Sequence, residues 1–175
     1  LYYYQSNANA GNGAVMKLFT YGIENPITDN KLGYDFYADG SNKYDIWVLS
    51  SQANVSWLTK WKWALNSSEY AYPNVIKTVK ADYSEQNISM YWQCLRQGTT
   101  LKNGYNNISF LSDEKRSAGD YMLHAADAVV VAKTGEWSPS GNVSSDKISA
   151  VAANMFSGKD MNNITDNLVL PQNIE

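Results

Sequence analysis

The stretch Asn42-Lys43-Tyr44-Asp45-Ile46-Trp47-Val48-Leu49-Ser50-Ser51-Gln52-Ala53-Asn54-Val55-Ser56-Trp57-Leu58-Thr59-Lys60-Trp61-Lys62-Trp63 holds four of the six tryptophans of the chain. A strand period of two puts Ile46 and Val48 on one face and Trp47 and Leu49 on the other. Downstream, Trp57, Thr59, Trp61 and Trp63 share a face opposite Leu58, Lys60 and Lys62. Read as a β-hairpin, the two runs carry a continuous tryptophan row. The lysines mark the wet side of the second run, which sends Trp57, Trp61 and Trp63 to the core of a sandwich. A competing reading leaves that row on a surface that meets sugar rings or a neighbouring subunit, because rigid aromatics provide contact area at low entropic cost. With Ile46 and Val48 turned inward, Trp47, with Leu49 on the same face, is the stronger candidate for an outward ligand or assembly contact.

The same alternation runs through Ala14 to Tyr21, Leu32 to Tyr37 and Tyr44 to Leu49, and further strands are legible at Asn54 to Leu65, Val75 to Ala81, Ile88 to Leu95 and Asn107 to Leu111,. Between them lie the turn clusters Asn66-Ser67-Ser68, Tyr72-Pro73-Asn74 and Gly104-Tyr105-Asn106, and Ala38-Asp39-Gly40-Ser41-Asn42 supplies an Asp-Gly pair suited to a tight hairpin,. About seven or eight short strands spaced by turns predict a mainly β chain, an antiparallel β-sandwich or jelly roll, over residues 1–112. The opening Leu1 to Ala8 reads either as a native strand or as a protease-tag remnant.

The charged run Ser112 to Asp120 marks a boundary, and residues 113–175 read as a C-terminal segment packed on the body or extended to a neighbour. Tyr121 to Lys133 suits either a buried strand or helical turns. Ser144 or Ser145 is placed to cap a short helix reaching Phe156, in which Ile148, Val151, Ala152 and Met155 recur at helical spacing before Gly158 ends it,.

Composition narrows the function. A chain of 175 residues that is 44% hydrophobic can bury one core without staples,. Its 14 basic residues are scattered among 17 acidic ones, which argues against nucleic acid as a partner,. No apolar run reaches the roughly 18 residues a membrane helix needs. The single cysteine, Cys94, suits a small buried hydrophobe,. His124 is the only histidine and stands in a differently patterned segment from Cys94, so no nucleophile and base are paired,. The adjacent Asp113 and Glu114 do not make a glycosidase pair. Asp35, Asp39, Asn42 and Asp45, like Asp160, Asn162, Asn163 and Asp166, fit turn chemistry and lack the ordered calcium-loop spacing,. The expectation is a protein that is not an enzyme and uses no cofactor and no metal. Asn-x-Ser/Thr triplets at Asn54, Asn66, Asn87, Asn107, Asn142 and Asn163, against about three expected by chance, are candidate glycosylation sites on a surface protein,.

The segments Tyr2-Tyr3-Tyr4, Gly11 to Phe19, Lys43-Tyr44-Asp45-Ile46-Trp47-Val48 and Ser89-Met90-Tyr91-Trp92-Gln93-Cys94-Leu95 occur in an order that resembles the receptor-binding head domains of tailed-phage fibre and spike proteins, over about residues 1–112. The resemblance implies a trimeric virion adhesin whose β-sandwich head binds a cell-surface glycan or receptor. Ser112-Asp113-Glu114-Lys115-Arg116 also resembles the opening of the self-cleaving chaperones that end some fibres, but departs after Arg116, so no catalytic serine is carried over. The rival expectation is a subunit of a cellular surface filament or pilus assembled by strand exchange and N-glycosylated; a carbohydrate-binding module cut from an extracellular enzyme is a third. All place the chain outside the cell, on a virion or a cell surface, and the first two make it a homo-oligomer, a trimer or a filament.

Overall fold

The computed structural model describes residues 2–6, 14–21, 31–52, 61–85, 88–111, 121–150, 155–157, 162–163 and 171–172. Among these residues the chain is mainly β, an antiparallel sandwich with one short helix. The first sheet contains β1 (Tyr2–Ser6), β2 (Ala14–Tyr21), β4 (Lys43–Ser51), β6 (Lys77–Glu85), β7 (Ile88–Thr100) and β9 (Tyr121–Lys133), in the order β1-β2-β9-β4-β7-β6, and β10 (Met155–Ser157) also pairs with β9. The second contains β3 (Lys31–Ala38), β5 (Lys62–Leu65), β8 (Gly104–Leu111) and β11 (Asn162–Asn163), in the order β11-β3-β8-β5, and β12 (Pro171–Gln172) lies parallel to β3. The segment beyond residue 112 therefore supplies an inner strand, β9, which sits between β2 and β4.

The tryptophan-rich stretch is not a hairpin. β4 pairs with β7 and β9, whereas β5 pairs with β8, with Trp63 opposite Phe110. The two runs belong to opposite sheets and meet across the core, where Ile46 and Val48 join Trp61, Trp63, Phe36, Ile108 and Phe110. Trp61 packs edge-on to Phe110 at 5.6 Å between ring centroids, and its indole N–H donates to the Ser51 carbonyl at 3.1 Å. The Asp39-Gly40 turn is likewise a corner between sheets, taking the chain from β3 into β4. It is held by the Asp39 N–H on the Tyr44 hydroxyl, at 3.0 Å, and by the Ser41 N–H and hydroxyl on Asp39 Oδ1, at 2.9 and 2.7 Å.

The outer face of the first sheet is also closed. Trp47 and Leu49 pack with Met90, Trp92, Ala128 and Val130 in a second apolar cluster roofed by Trp137 and by Val143 and Ala150 of helix α1 (Val143–Ala150). Trp47 is only 4% exposed, which corrects the outward contact assigned to it and to Leu49: their face is the outer one of the sheet, but the chain covers it. The near-continuous burial of β4, from Tyr44 through Ser51, is what a strand covered on both faces requires,.

The helix also differs from its sequence reading. Asn142 is the cap, its Oδ1 accepting the Ser145 N–H at 3.0 Å,. The buried Asp146 carboxylate reaches back to accept from Ser140 N and Oγ and Gly141 N, at 2.7 to 2.9 Å. That carboxylate stabilises the positive end of the helix and fixes the preceding loop at once. The buried residues are Val143, Asp146 and Ala150, while Ile148 is 77% exposed and Met155 belongs to β10. Of the expected apolar stripe, Ile148 is thus turned to solvent, while Val151 and Ala152 lie outside the described residues; helical spacing does not say which stripe the loop of residues 134–142 will press onto the sheet,.

Deleting a tryptophan from either cluster leaves a cavity that neither sheet can fill, so Trp47→Ala and Trp61→Ala should each cost about 3–5 kcal/mol of stability. Urea unfolding of the two variants checks this. Wild-type stability in Trp47→Ala would mean that the helical roof does not pack as described.

Candidate ligand-binding face

With one face of the second sheet in the core, strand alternation fixes what stands on the other. Phe36, Ala38, Ile108 and Phe110 point inward, so Asp35, Tyr37, Tyr105, Asn107 and Ser109 point outward,. The β3–β8 register places Tyr37 opposite Tyr105, Asp35 opposite Asn107 and Gly33 opposite Ser109, three successive cross-strand pairs on one face,.

The first pair is an aromatic corner. Tyr37 and Tyr105 are 50% and 52% exposed, and their rings meet at 5.8 Å with an interplanar angle of 87°. Two perpendicular rings satisfy each other edge to face and still leave aromatic surface open to solvent. The second pair is polar: Asn107 Nδ2 donates to Asp35 Oδ1 at 3.0 Å. Asn107 is itself braced by Asn66, which sits in the left-handed region at φ 53° and exchanges two bonds with it, Asn107 N–H to Asn66 Oδ1 at 2.7 Å and Asn66 N–H to the Asn107 carbonyl at 2.8 Å. In the third pair a Cβ at Gly33 would collide with the Ile108 carbonyl, so glycine lets the strands close up there,. Tyr70 lies over Ser109, the two hydroxyls 2.8 Å apart, and burial pushes the Tyr70 phenol above its ordinary range despite that bond, which keeps it protonated,. Beside this stripe, Lys62 of β5 stands over the Tyr72 ring at 4.9 Å.

Chemically, the face offers stacking surface and phenol hydroxyls at Tyr37 and Tyr105 and a carboxylate acceptor at Asp35, whereas Ser109 is buried beneath Tyr70. Those are the means of holding a polyhydroxylated ring: C–H groups on an aromatic plane and O–H groups on fixed acceptors.

The outer face of the first sheet offers something different. A register shift between β4 and β9 leaves Asp127 as the extra residue, and a bulge of this kind re-aims a side chain,. Asp127, fully buried, accepts from Lys147 Nζ of α1 at 2.7 Å and from the Tyr83 hydroxyl. This is an interior ion pair that fastens the roof to the sheet. Nearby, Trp47 Nε1 and Trp92 Nε1 are buried and have no hydrogen-bond partner among the described residues, and both rings stand edge-on to Trp137, at 6.2 and 5.2 Å.

No family model, curated protein or solved structure matches the chain.

The sequence-predicted contacts fall elsewhere. Trp47 and Leu49 are buried beneath the roof, Trp61 and Trp63 are buried between the sheets, and Trp57 lies outside the described residues. Among the triplet asparagines, Asn54 and Asn87 lie outside the described residues, and Asn163 is placed in β11. The Asn66 and Asn107 amide nitrogens donate to Asn106 Oδ1 and Asp35 Oδ1, whereas Asn142, exposed, uses its oxygen as the helix cap and has no bond from its amide nitrogen among the described residues. Asp113 and Glu114 are outside the described residues; His124 stands on β9 opposite Leu18. Sequence reading missed Tyr37 and Tyr105. The usable signal was Asp35-Phe36-Tyr37, where a carboxylate and an aromatic flank an inward phenylalanine and so share the outer face.

Cys94 is buried, its thiol 3.2 Å from the Arg96 carbonyl, and burial first, the Asp45 charge second, push its pKa from 9.0 up to about 11. The folded chain thus holds this proton more tightly than the unfolded chain, so the contribution to stability is intact below pH 9 and is lost as pH rises toward 11,. Unfolding measured between those limits should show a shallower alkaline decline in Cys94→Ala than in the wild type.

Proposed function

We propose that the chain is a non-enzymatic surface adhesin module, displayed on a virion or cell surface, that binds a glycan on the outer face of its second sheet. The observation that carries this reading is the Tyr37–Tyr105 corner, two half-exposed aromatic rings held perpendicular on a rigid sheet and followed along the same face by the Asp35–Asn107 pair. Rigid scaffolds with exposed aromatic anchors lose little entropy on binding, and a single anchor can decide affinity. The fibre-head resemblance points to the same ligand class.

A second reading, a filament subunit built by strand exchange, is favoured by one observation. The short β12 adds to β3 in parallel, at Asp35 and Phe36, which is the kind of edge pairing that one subunit can supply to the next,. Sedimentation separates the two, since a closed trimer suits a fibre head and open-ended polymers suit a filament.

Because both rings are exposed, Tyr37→Ala and Tyr105→Ala should leave stability within about 0.5 kcal/mol yet weaken binding to an immobilised glycan array by about tenfold or more. Unchanged binding by both variants would remove the corner from the site. If the chain is glycosylated, Asn142 should carry the sugar ahead of Asn66 and Asn107, since attachment there breaks no hydrogen bond of the fold and leaves the capping oxygen in place. Peptide mapping by mass spectrometry of the chain secreted from a eukaryotic host reads this directly, and occupancy confined to Asn107 would contradict it.

A further inference from the structure

We infer that Asp35 makes the face selective for neutral sugars presenting two adjacent hydroxyls and turns away anionic ones; the inference rests on the glycan reading above. Residues two apart on a strand lie on one face, about 7 Å from each other. A sugar ring stacked on Tyr37 therefore brings its hydroxyl-bearing edge over Asp35. The Asp35 carboxylate is half-buried, and among the described residues its side-chain hydrogen bond is the 3.0 Å contact from Asn107 Nδ2 to Oδ1. That contact fixes the orientation of the group and leaves acceptor capacity on both oxygens. A carboxylate cannot donate, so it needs hydroxyls that do, and a rigid pair of oxygens accepts best from two neighbouring O–H groups.

The sign of the local charge decides the rest. Among the described side chains on the outer face of β3 and β8, Asp35 is the only charged one. The nearest described basic group on the adjoining strand, Lys62, is placed over the Tyr72 ring. A carboxylated or sulfated sugar entering the corner meets the negative charge of Asp35 first, since the lysine of β3, Lys31, stands at the opposite end of the strand, three residue pairs from Tyr37–Tyr105,. The aromatic corner supplies the affinity, and the carboxylate supplies the choice.

The test is binding of the full chain to neutral oligosaccharides and to their sialylated or sulfated counterparts, for the wild type, Tyr105→Ala and Asp35→Asn. Asparagine keeps an oxygen for the Asn107 amide, so Asp35→Asn preserves the local pairing, which a thermal melt verifies. The wild type should bind the neutral member of each pair at least about tenfold more tightly. Asp35→Asn should lose about tenfold for neutral ligands, the scale of a charge-assisted hydrogen bond, and narrow the gap to acidic ones. Binding that depends on Tyr105 but is indifferent to Asp35→Asn, or that favours the acidic member, overturns the inference and leaves the glycan reading standing. Absence of glycan binding, or binding untouched by Tyr105→Ala, overturns both.

Discussion

The structure turns on the double-sided burial of β4 and β9 at the middle of the first sheet. Ile46, Val48, Val129 and Val131 face the second sheet, while Trp47, Leu49, Ala128 and Val130 face the other way and are equally buried. A sheet apolar on both faces cannot stop at two layers. The remaining architecture follows: a second sheet must lie on one side, and the loop from Trp137 with helix α1 must lie on the other. The roof is short, so polar contacts locate it. Asp146 ties the helix to its own entry loop, Lys147 reaches the buried Asp127, and the Asp82 N–H meets the Gly141 carbonyl at 3.0 Å. The consequence for function is one of elimination. With both faces of the central strands covered, the aromatic surface open on a sheet among the described residues is the Tyr37–Tyr105 pair on the outer face of β3 and β8.

Polar contacts locate the roof at its margins; over the tryptophans beneath it the fit is one of shape. Two indole N–H groups beneath it have no acceptor among the described residues, an arrangement that costs about 1–3 kcal/mol for each group,. The perpendicular contacts with Trp137 and the apolar area buried under that ring offset this cost,. Trp137 itself is anchored, its N–H donating to Ser149 Oγ at 2.9 Å. A single tryptophan held from the helix thus closes over two others held from the sheet.

Strand existence was legible in the sequence, and strand partnership was not. Ala14 to Tyr21 has the bounds its alternation predicts, and Leu32 to Tyr37 and Tyr44 to Leu49 fall within β3 and β4. Period two says that Trp47 and Val48 oppose each other; it does not say which face water reaches, because the cover arrives from residues 137–150. The same silence misplaced the hairpin, since Trp61 and Trp63 can complete the core around Ile46 from the opposite sheet as well as from the next strand. Tryptophan drew attention to the stretch that packs the interior. Tyrosines spaced far apart in the chain, at 37 and 105, became neighbours through the β3–β8 register, which no local pattern encodes.

The β4–β9 pairing has a bearing on how the chain reaches its native state. Val48 lies against Val129, and one flank of β4 waits for a strand that leaves the ribosome long after it, while its other flank pairs with the intervening β7. Loop closure across that span must precede most of the favourable packing, which makes folding slow for a domain of this size. Until β9 arrives, the apolar run from Ile46 to Leu49 stands at an unprotected sheet edge, the form in which β chains pair with copies of themselves. In a protein of this topology, the interval between the synthesis of β4 and that of β9 is the one in which aggregation competes with folding.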